Sequence, residues 1–273
     1  MSTVPLLSVR DLCVDYATGT KLVRAADRVS FDLAQGEVMG LAGESGSGKS
    51  TVAFAIARLH KPPAFVTGGS VTLDGTDVLA LKGEELRQWR WRDLSVVLQS
   101  AMNALNPLLT VEAQFRDLFH AHGVRDKAEV RERSAELLRL VGIAPDRLGD
   151  WPHTFSGGMR QRLVIAMALA LRPKLIVMDE PTTALDVVVQ REILEQVAEL
   201  RAKFGFAVLF ITHDLALMSQ FCDRVGIMLK GELVEQGTPA ELLARPRHPY
   251  TKRLWDSLPR LHPDTPARTG TAP

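Results

Sequence analysis

Residues 43–51, GESGSGKST, gather three glycines and four hydroxyl side chains around one lysine, a composition suited to holding phosphate. Gly43, Gly46 and Gly48 let successive backbone N–H groups converge on an anion without Cβ clashes. A helix starting at Lys49 would add the positive end of its dipole. Lys49 then reaches the β- and γ-phosphates, and the Ser50 hydroxyl is placed to bind Mg²⁺. The stretch fits the P-loop pattern, with Gly43, Gly48, Lys49 and Ser50 at the defining positions and Ser45, Ser47 and Thr51 completing an ATP cradle.

Two adjacent acids close an apolar run in KLIVMDEPTTALD (174–186). A carboxylate at such a strand end holds Mg²⁺ opposite Ser50, and Asp179 is the candidate. Glu180 follows, placed to orient or deprotonate an attacking water, and Pro181 stops strand pairing. FITHD (210–214) puts His213 at another strand end, where it could meet the γ-phosphate; a packed or solvated histidine fits that spacing as well. VVLQS (96–100) puts Gln99 after a further apolar run, where its amide could join the metal's coordination shell.

A second anion site lies in WPHTFSGGMRQR (151–162). Ser156 is placed as an N-cap, and Gly157 and Gly158 leave the first-turn N–H groups of the following helix accessible. One triphosphate does not easily use two distant helix N-termini. The simple resolution is that Ser156–Gly158 grips nucleotide held on another subunit, two chains lying head to tail around two nucleotides.

The elements that must position these residues are legible as an α/β chain. VMGLA (38–42), LIVM (175–178) and AVLFIT (207–212) are near-continuous apolar runs, as in a parallel sheet covered on both faces. Helices follow each, and ligands in such sheets bind at the carboxyl ends of the strands. Residues 49–60 read as a helix stopped by Lys61-Pro62-Pro63. Residues 7–16, 29–33 and the hairpin 70–78 around Asp74-Gly75 read as an antiparallel group. Between about 100 and 155 a charged stretch with Val130, Leu137, Leu138 and Val141 at helical spacing predicts an inserted helical lobe. From about 246 the chain turns Pro-rich and irregular, and its tail, PARTGTAP (266–273), reads as disordered.

Composition narrows the function. Of 273 residues 46% are hydrophobic and the net charge is +1, which argues against a dedicated nucleic-acid binder. Cys13 and Cys222 give neither a disulfide framework nor metal spacing. The N-terminus lacks signal-peptide features, and the longest apolar run, LVIAMALAL (163–171), is about half of the roughly 20 residues a bilayer span needs. A soluble chain is expected, with any membrane role exerted through a partner.

The ordered set of P-loop, LQS, SGGMRQR, LIVMDEPTTALD and ITHD resembles the ATP-binding subunit of an ABC transporter, over roughly residues 7–245. The resemblance implies a P-loop NTPase core with a parallel sheet, an antiparallel β subdomain and an inserted helical subdomain. It implies ATP and Mg²⁺ as ligands, and an ATP sandwich in which Ser156, Gly157, Gly158 and Met159 serve the partner's nucleotide. It also implies a magnesium- and permease-sensing loop at Gln99, a dimer-interface loop at Asp186, a γ-phosphate switch at His213, and adenine stacking on Tyr16. Met159 stands where glutamine is more usual.

SAMNALNPLLTV (100–111), FSGGMRQR and RHPYTKRLWDSLP (247–259) further resemble the oligopeptide/dipeptide/nickel importer group, with residues 246–273 as its C-terminal extension. The resemblance implies an ATPase powering peptide uptake, or uptake of nickel chelates, oligosaccharides or opines. The implied partners are a second ATP-binding subunit (a nonidentical homologue or another copy), two membrane permease subunits and an extracytoplasmic substrate-binding protein. The implied location is the cytoplasmic face of the membrane. Several relatives carry an iron–sulfur cluster in this extension; with no cysteine beyond Cys222, none is expected here. A nucleic-acid-associated ATPase of the same type would need a long coiled-coil insertion or a second head, and the sequence displays neither.

Overall fold

A computed structural model describes residues 4–98, 104–182 and 185–256. Residues that alternate along a strand reach opposite faces, and this organises the interior. On β7 (Leu175–Asp179), Leu175 and Val177 join one apolar cluster while Ile176 and Met178 join another. On β8 (Ala207–Ile211), Ala207, Leu209 and Ile211 divide from Val208 and Phe210 in the same way. Both strands are buried on both faces, as their unbroken apolar runs predict.

These strands belong to a six-stranded sheet that also holds β3 (Val38–Ala42), β6 (Leu94–Val97), β9 (Arg224–Leu229) and β10 (Glu232–Gly237). Its order is β10-β9-β3-β8-β7-β6, parallel except for β10 at the edge. A four-stranded antiparallel sheet, ordered β2-β1-β4-β5, is built from β1 (Leu7–Thr18), β2 (Lys21–Leu33), β4 (Ala64–Leu73) and β5 (Thr76–Asp77). It shares a cluster with α1 (Lys49–Ile56), in which Leu7, Phe31, Val52, Ile56 and Leu209 are buried together. Asp74 and Gly75 both take positive φ between β4 and β5, the conformation the tight hairpin requires.

The opposite face carries the helical lobe. α3 (Val111–Ala121) and α4 (Lys127–Leu140) follow α2 (Gly83–Arg92), and the apolar residues expected on one face, Val130, Leu137, Leu138 and Val141, are buried. α5 (Gly157–Ala168) and α6 (Val187–Phe204) complete this layer, with α7 (Leu215–Phe221) after β8. Cys222 lies in this cluster and Cys13 is buried on β1.

Three expectations change. The strand at 29–33 is the end of β2, which starts at Lys21. The helix expected over 49–60 stops at Ile56, because Arg58 adopts φ +56° and the chain reverses there. Leu59 N–H donates to Phe54 O and Arg58 N–H to Ala55 O, the bonding of a left-handed C-terminal cap in which Arg58 occupies the usual glycine position. The Arg58 guanidinium anchors it by donating to the carbonyls of Val78 and Leu79. Finally, between 246 and 256 the chain is not irregular: α8 (Pro239–Ala244) is followed by α9 (Pro249–Asp256), whose Tyr250 and Trp255 enter the main cluster. The tail at 266–273 lies outside the described residues.

Candidate nucleotide-binding site

Because β3, β7 and β8 are parallel neighbours, their carboxyl ends open on one edge of the sheet. The loop after β3 carries residues 43–48, β7 ends in Asp179 and Glu180, and β8 leads to His213. Lys49, at the start of α1, is buried, and its Nζ donates to the carbonyls of Gly43 and Glu44 at 2.8 Å and to Ser47 Oγ at 3.3 Å. Burial lowers its pKa, against the opposing pull of Glu180, Asp179 and Glu44. Gly48 takes φ +101°, and a Cβ there would collide with the Ala25 carbonyl, so the close approach of β2 excludes any side chain.

Ser50 Oγ donates to Asp179 Oδ1 at 3.0 Å. Burial raises the Asp179 pKa, which the Ser50 hydrogen bond partly offsets. A buried ammonium and a buried carboxylate lining the same cleft are each costly when charged. Phosphate oxygens beside Lys49 and a divalent cation beside Asp179 would relieve both. Glu180 takes φ +47°, turned out of the strand while its N–H still donates to Ile211 O at 2.8 Å. Its Oε1 lies 3.1 Å from His213 Nδ1, on a histidine side chain that is 62% exposed. Ser45, Gly46, Gly48, Lys49, Ser50, Thr51, Asp179, Glu180, His213 and Ala25 line one cleft of about 460 Å³. The P-loop, the acidic pair and the histidine are thus brought together; Gln99 lies outside the described residues.

Tyr16 stands at the rim rather than in the lining. Its Oη is 3.5 Å from Thr51 Oγ1, and its ring meets His60 edge-on at 6.4 Å. His60 Nε2 in turn lies 2.8 Å from Thr51 O, so this histidine, which the sequence does not single out, braces the wall beside Tyr16.

Ser156, Gly157, Gly158 and Met159 are likewise absent from the cleft lining. Ser156 Oγ accepts from Met159 N at 3.3 Å, an N-cap as expected. Among the described residues no hydrogen bond uses the N–H of Gly157 or Gly158. A Cβ on Gly158 would fall 2.8 Å from Val189 Cγ1, so this glycine also lets α6 approach. Asp186 caps α6, accepting from Val189 N at 3.0 Å, and the next residues, Val187 and Val188, are 79% and 69% exposed.

Sequence reasoning misses Arg147. Its guanidinium lies over the Phe155 ring at 4.0 Å and donates to Asp150 Oδ2 at 2.8 Å, Thr154 O at 3.3 Å and Met159 Sδ at 3.7 Å. The loop leading to Ser156 is folded around this one side chain. Nothing in PDRLGDW signals that, because each contact crosses a turn. Arg147→Ala is expected to destabilise the chain by about 1–3 kcal/mol in urea unfolding, from the lost charged hydrogen bonds and ring contact.

Residues 26–183 match the family described as ABC transporter, and residues 234–273 match the C-terminal region of oligopeptide/dipeptide transporters. The peptidoglycan transport ATP-binding protein YejF of Agrobacterium fabrum is 48% identical over 96% of this chain, which spans 48% of that relative's length. The dipeptide transport ATP-binding protein DppD of Haemophilus influenzae is 44% identical over 94% of this chain and 78% of its own. Among solved structures, a dimeric post-hydrolysis state of the ATP-binding cassette MJ0796 bound to ADP and Pi superposes with a TM-score of 0.74, at 30% identity, covering 85% of this chain and 98% of that one. With the strand order, the shared cleft and these likenesses in agreement, the chain belongs to the ABC transporter family.

Proposed function

We propose that this chain is the ATP-hydrolysing subunit of a peptide importer, with residues 1–245 as the ATPase and 246–273 as its extension. The observation that carries the ATPase reading is the single cleft shared by Lys49, Ser50, Asp179, Glu180 and His213. The peptide reading is supported by the likeness of residues 234–273 to oligopeptide/dipeptide transporters and by the dipeptide-transport relative.

In this reading Lys49 exchanges its carbonyl acceptors for β- and γ-phosphate oxygens. Ser50 and Asp179, both hard oxygen donors, fit Mg²⁺ and would hold it, with Gln99 as a further donor; the ion would neutralise charge on the phosphates. Glu180 accepts the proton of the attacking water, and His213 fixes its carboxylate and faces the γ-phosphate. Tyr16 stacks on adenine.

Ser156, Gly157, Gly158 and Met159 act on the partner's ATP. The free N–H groups of Gly157 and Gly158, their place outside this chain's own cleft and the exposed Val187 and Val188 beside Asp186 support a head-to-tail pair. The dimeric state of MJ0796 agrees. Driving closure from 1:99 to 99:1 takes about 5.5 kcal/mol. A few charge-assisted hydrogen bonds at about 1.5–3 kcal/mol each supply that.

Among the described residues no helix is long and apolar enough to cross a membrane, so attachment falls to two permease subunits. An apolar cleft lined by Trp91, Leu98, Leu105, Val164 and Met167, of which Leu98 precedes Gln99 in the sequence, supports docking there at the cytoplasmic face. The partner ATPase is a homologue or a second copy, and a binding protein delivers cargo from outside. Reconstitution with the permease and binding protein tests this: ATP turnover should rise several-fold when peptide-loaded binding protein is added. Stimulation by another cargo class and not by peptides would overturn the peptide assignment.

A further inference from the structure

One contact at the cradle plays no part in the chemistry above. Glu44 N–H donates to Tyr250 Oη at 3.0 Å, joining the first turn of α9 to the start of the phosphate loop. The other side of Glu44 is held as well, since its carbonyl accepts from Lys49 Nζ at 2.8 Å and from Ser47 N at 3.1 Å. Peptide planes are rigid, so fixing both planes that flank Glu44 fixes the backbone that turns Ser45–Gly48 toward the cleft.

The tyrosine is itself well anchored. Tyr250 is 4% exposed, and Trp255, five residues further along α9, is buried in the same cluster as Val38 and Ala42 of β3. Glu235 on β10 accepts from the N–H groups of Arg247 at 2.8 Å and His248 at 3.0 Å, fixing the approach to α9. Burial raises the pKa of the Tyr250 phenol, so it stays neutral through the physiological range.

We propose that Tyr250 is a positioning residue of the nucleotide site, its hydroxyl holding the Glu44 peptide so that the loop amides face the triphosphate before it arrives. The inference rests on the nucleotide-binding reading above. A loop that is binding-competent for only a fraction of the time weakens apparent affinity by that fraction, so the tie acts on binding and leaves the chemical step alone.

Tyr250→Phe removes the hydroxyl and keeps the ring in its packing. In the full-length chain, the Kd for ATP, measured by titration calorimetry, should rise about three- to tenfold, the worth of one net hydrogen bond. In the assembled complex KM for ATP should rise with it, while kcat stays within about twofold because bound nucleotide restores the loop. The Glu44 amide resonance should shift, and its hydrogen exchange should accelerate, without nucleotide. An unchanged Kd overturns the proposal, as does a fall in kcat with KM unaltered. If the variant fails to fold, exchange in the parent chain decides. A protected Glu44 amide supports the tie, and exchange as fast as an exposed loop refutes it. A parent chain that binds no ATP sinks the nucleotide reading and the tie together; a parent that binds while Tyr250→Phe matches it sinks the tie alone.

Discussion

Glu180→Gln should slow ATP hydrolysis by about two to four orders of magnitude, the usual contribution of a positioned general base, while ATP affinity stays close to that of the parent. The amide is nearly isosteric and keeps a partner for His213 Nδ1, now 3.1 Å from Glu180 Oε1. What it loses is the capacity to accept a proton. Closed head-to-tail dimers should therefore accumulate with ATP. Phosphate release by the assembled complex, measured beside equilibrium ATP binding, separates the two effects. Near-normal turnover would remove Glu180 from the mechanism.

Lys49→Met should have the other large effect, on binding. The ammonium is the one buried cation lining the cleft among the described residues, and it donates to two carbonyls at 2.8 Å that phosphate oxygens would replace. Two charged hydrogen bonds at about 1.5–3 kcal/mol each set a ceiling, from which the desolvation already spent on this ammonium must be subtracted. An ATP affinity lower by about a hundredfold is expected, equivalent to about 2.8 kcal/mol. Calorimetric titration reads it directly; a loss smaller than about threefold would mean that Lys49 does not touch the phosphates.

The chemistry was easier to read in the sequence than the scaffold around it. Lys49, Asp179 and His213 follow apolar strands, and parallel pairing of those strands is enough to bring their ends together. The first half of β2 carries no sequence signal, because Lys21–Arg24 is exposed on both faces and shows no alternation. The early end of α1 has no sequence mark, because an arginine occupies the left-handed position, where glycine is the usual sign. The prolines of RPRHPY mask α9 in the sequence, although Pro249 opens the helix, where a missing N–H costs nothing. Arg147, His60 and Tyr250 act through tertiary contacts that spacing cannot reveal. Ser156–Met159 is the reverse case: the pattern is plain, but one chain contains only half of the site it is proposed to build.

The two cysteines have a practical consequence. Cys13 and Cys222 are both buried, and burial pushes the Cys222 thiol far above its ordinary range. The folded molecule therefore presents thiol reagents with little to attack. A cysteine introduced at Leu243 on α8, 62% exposed and outside both the cleft and the Ser156–Met159 segment, would be the only readily labelled one, and a spin label or fluorophore there would report directly how far apart two copies stand as fuel is loaded and spent.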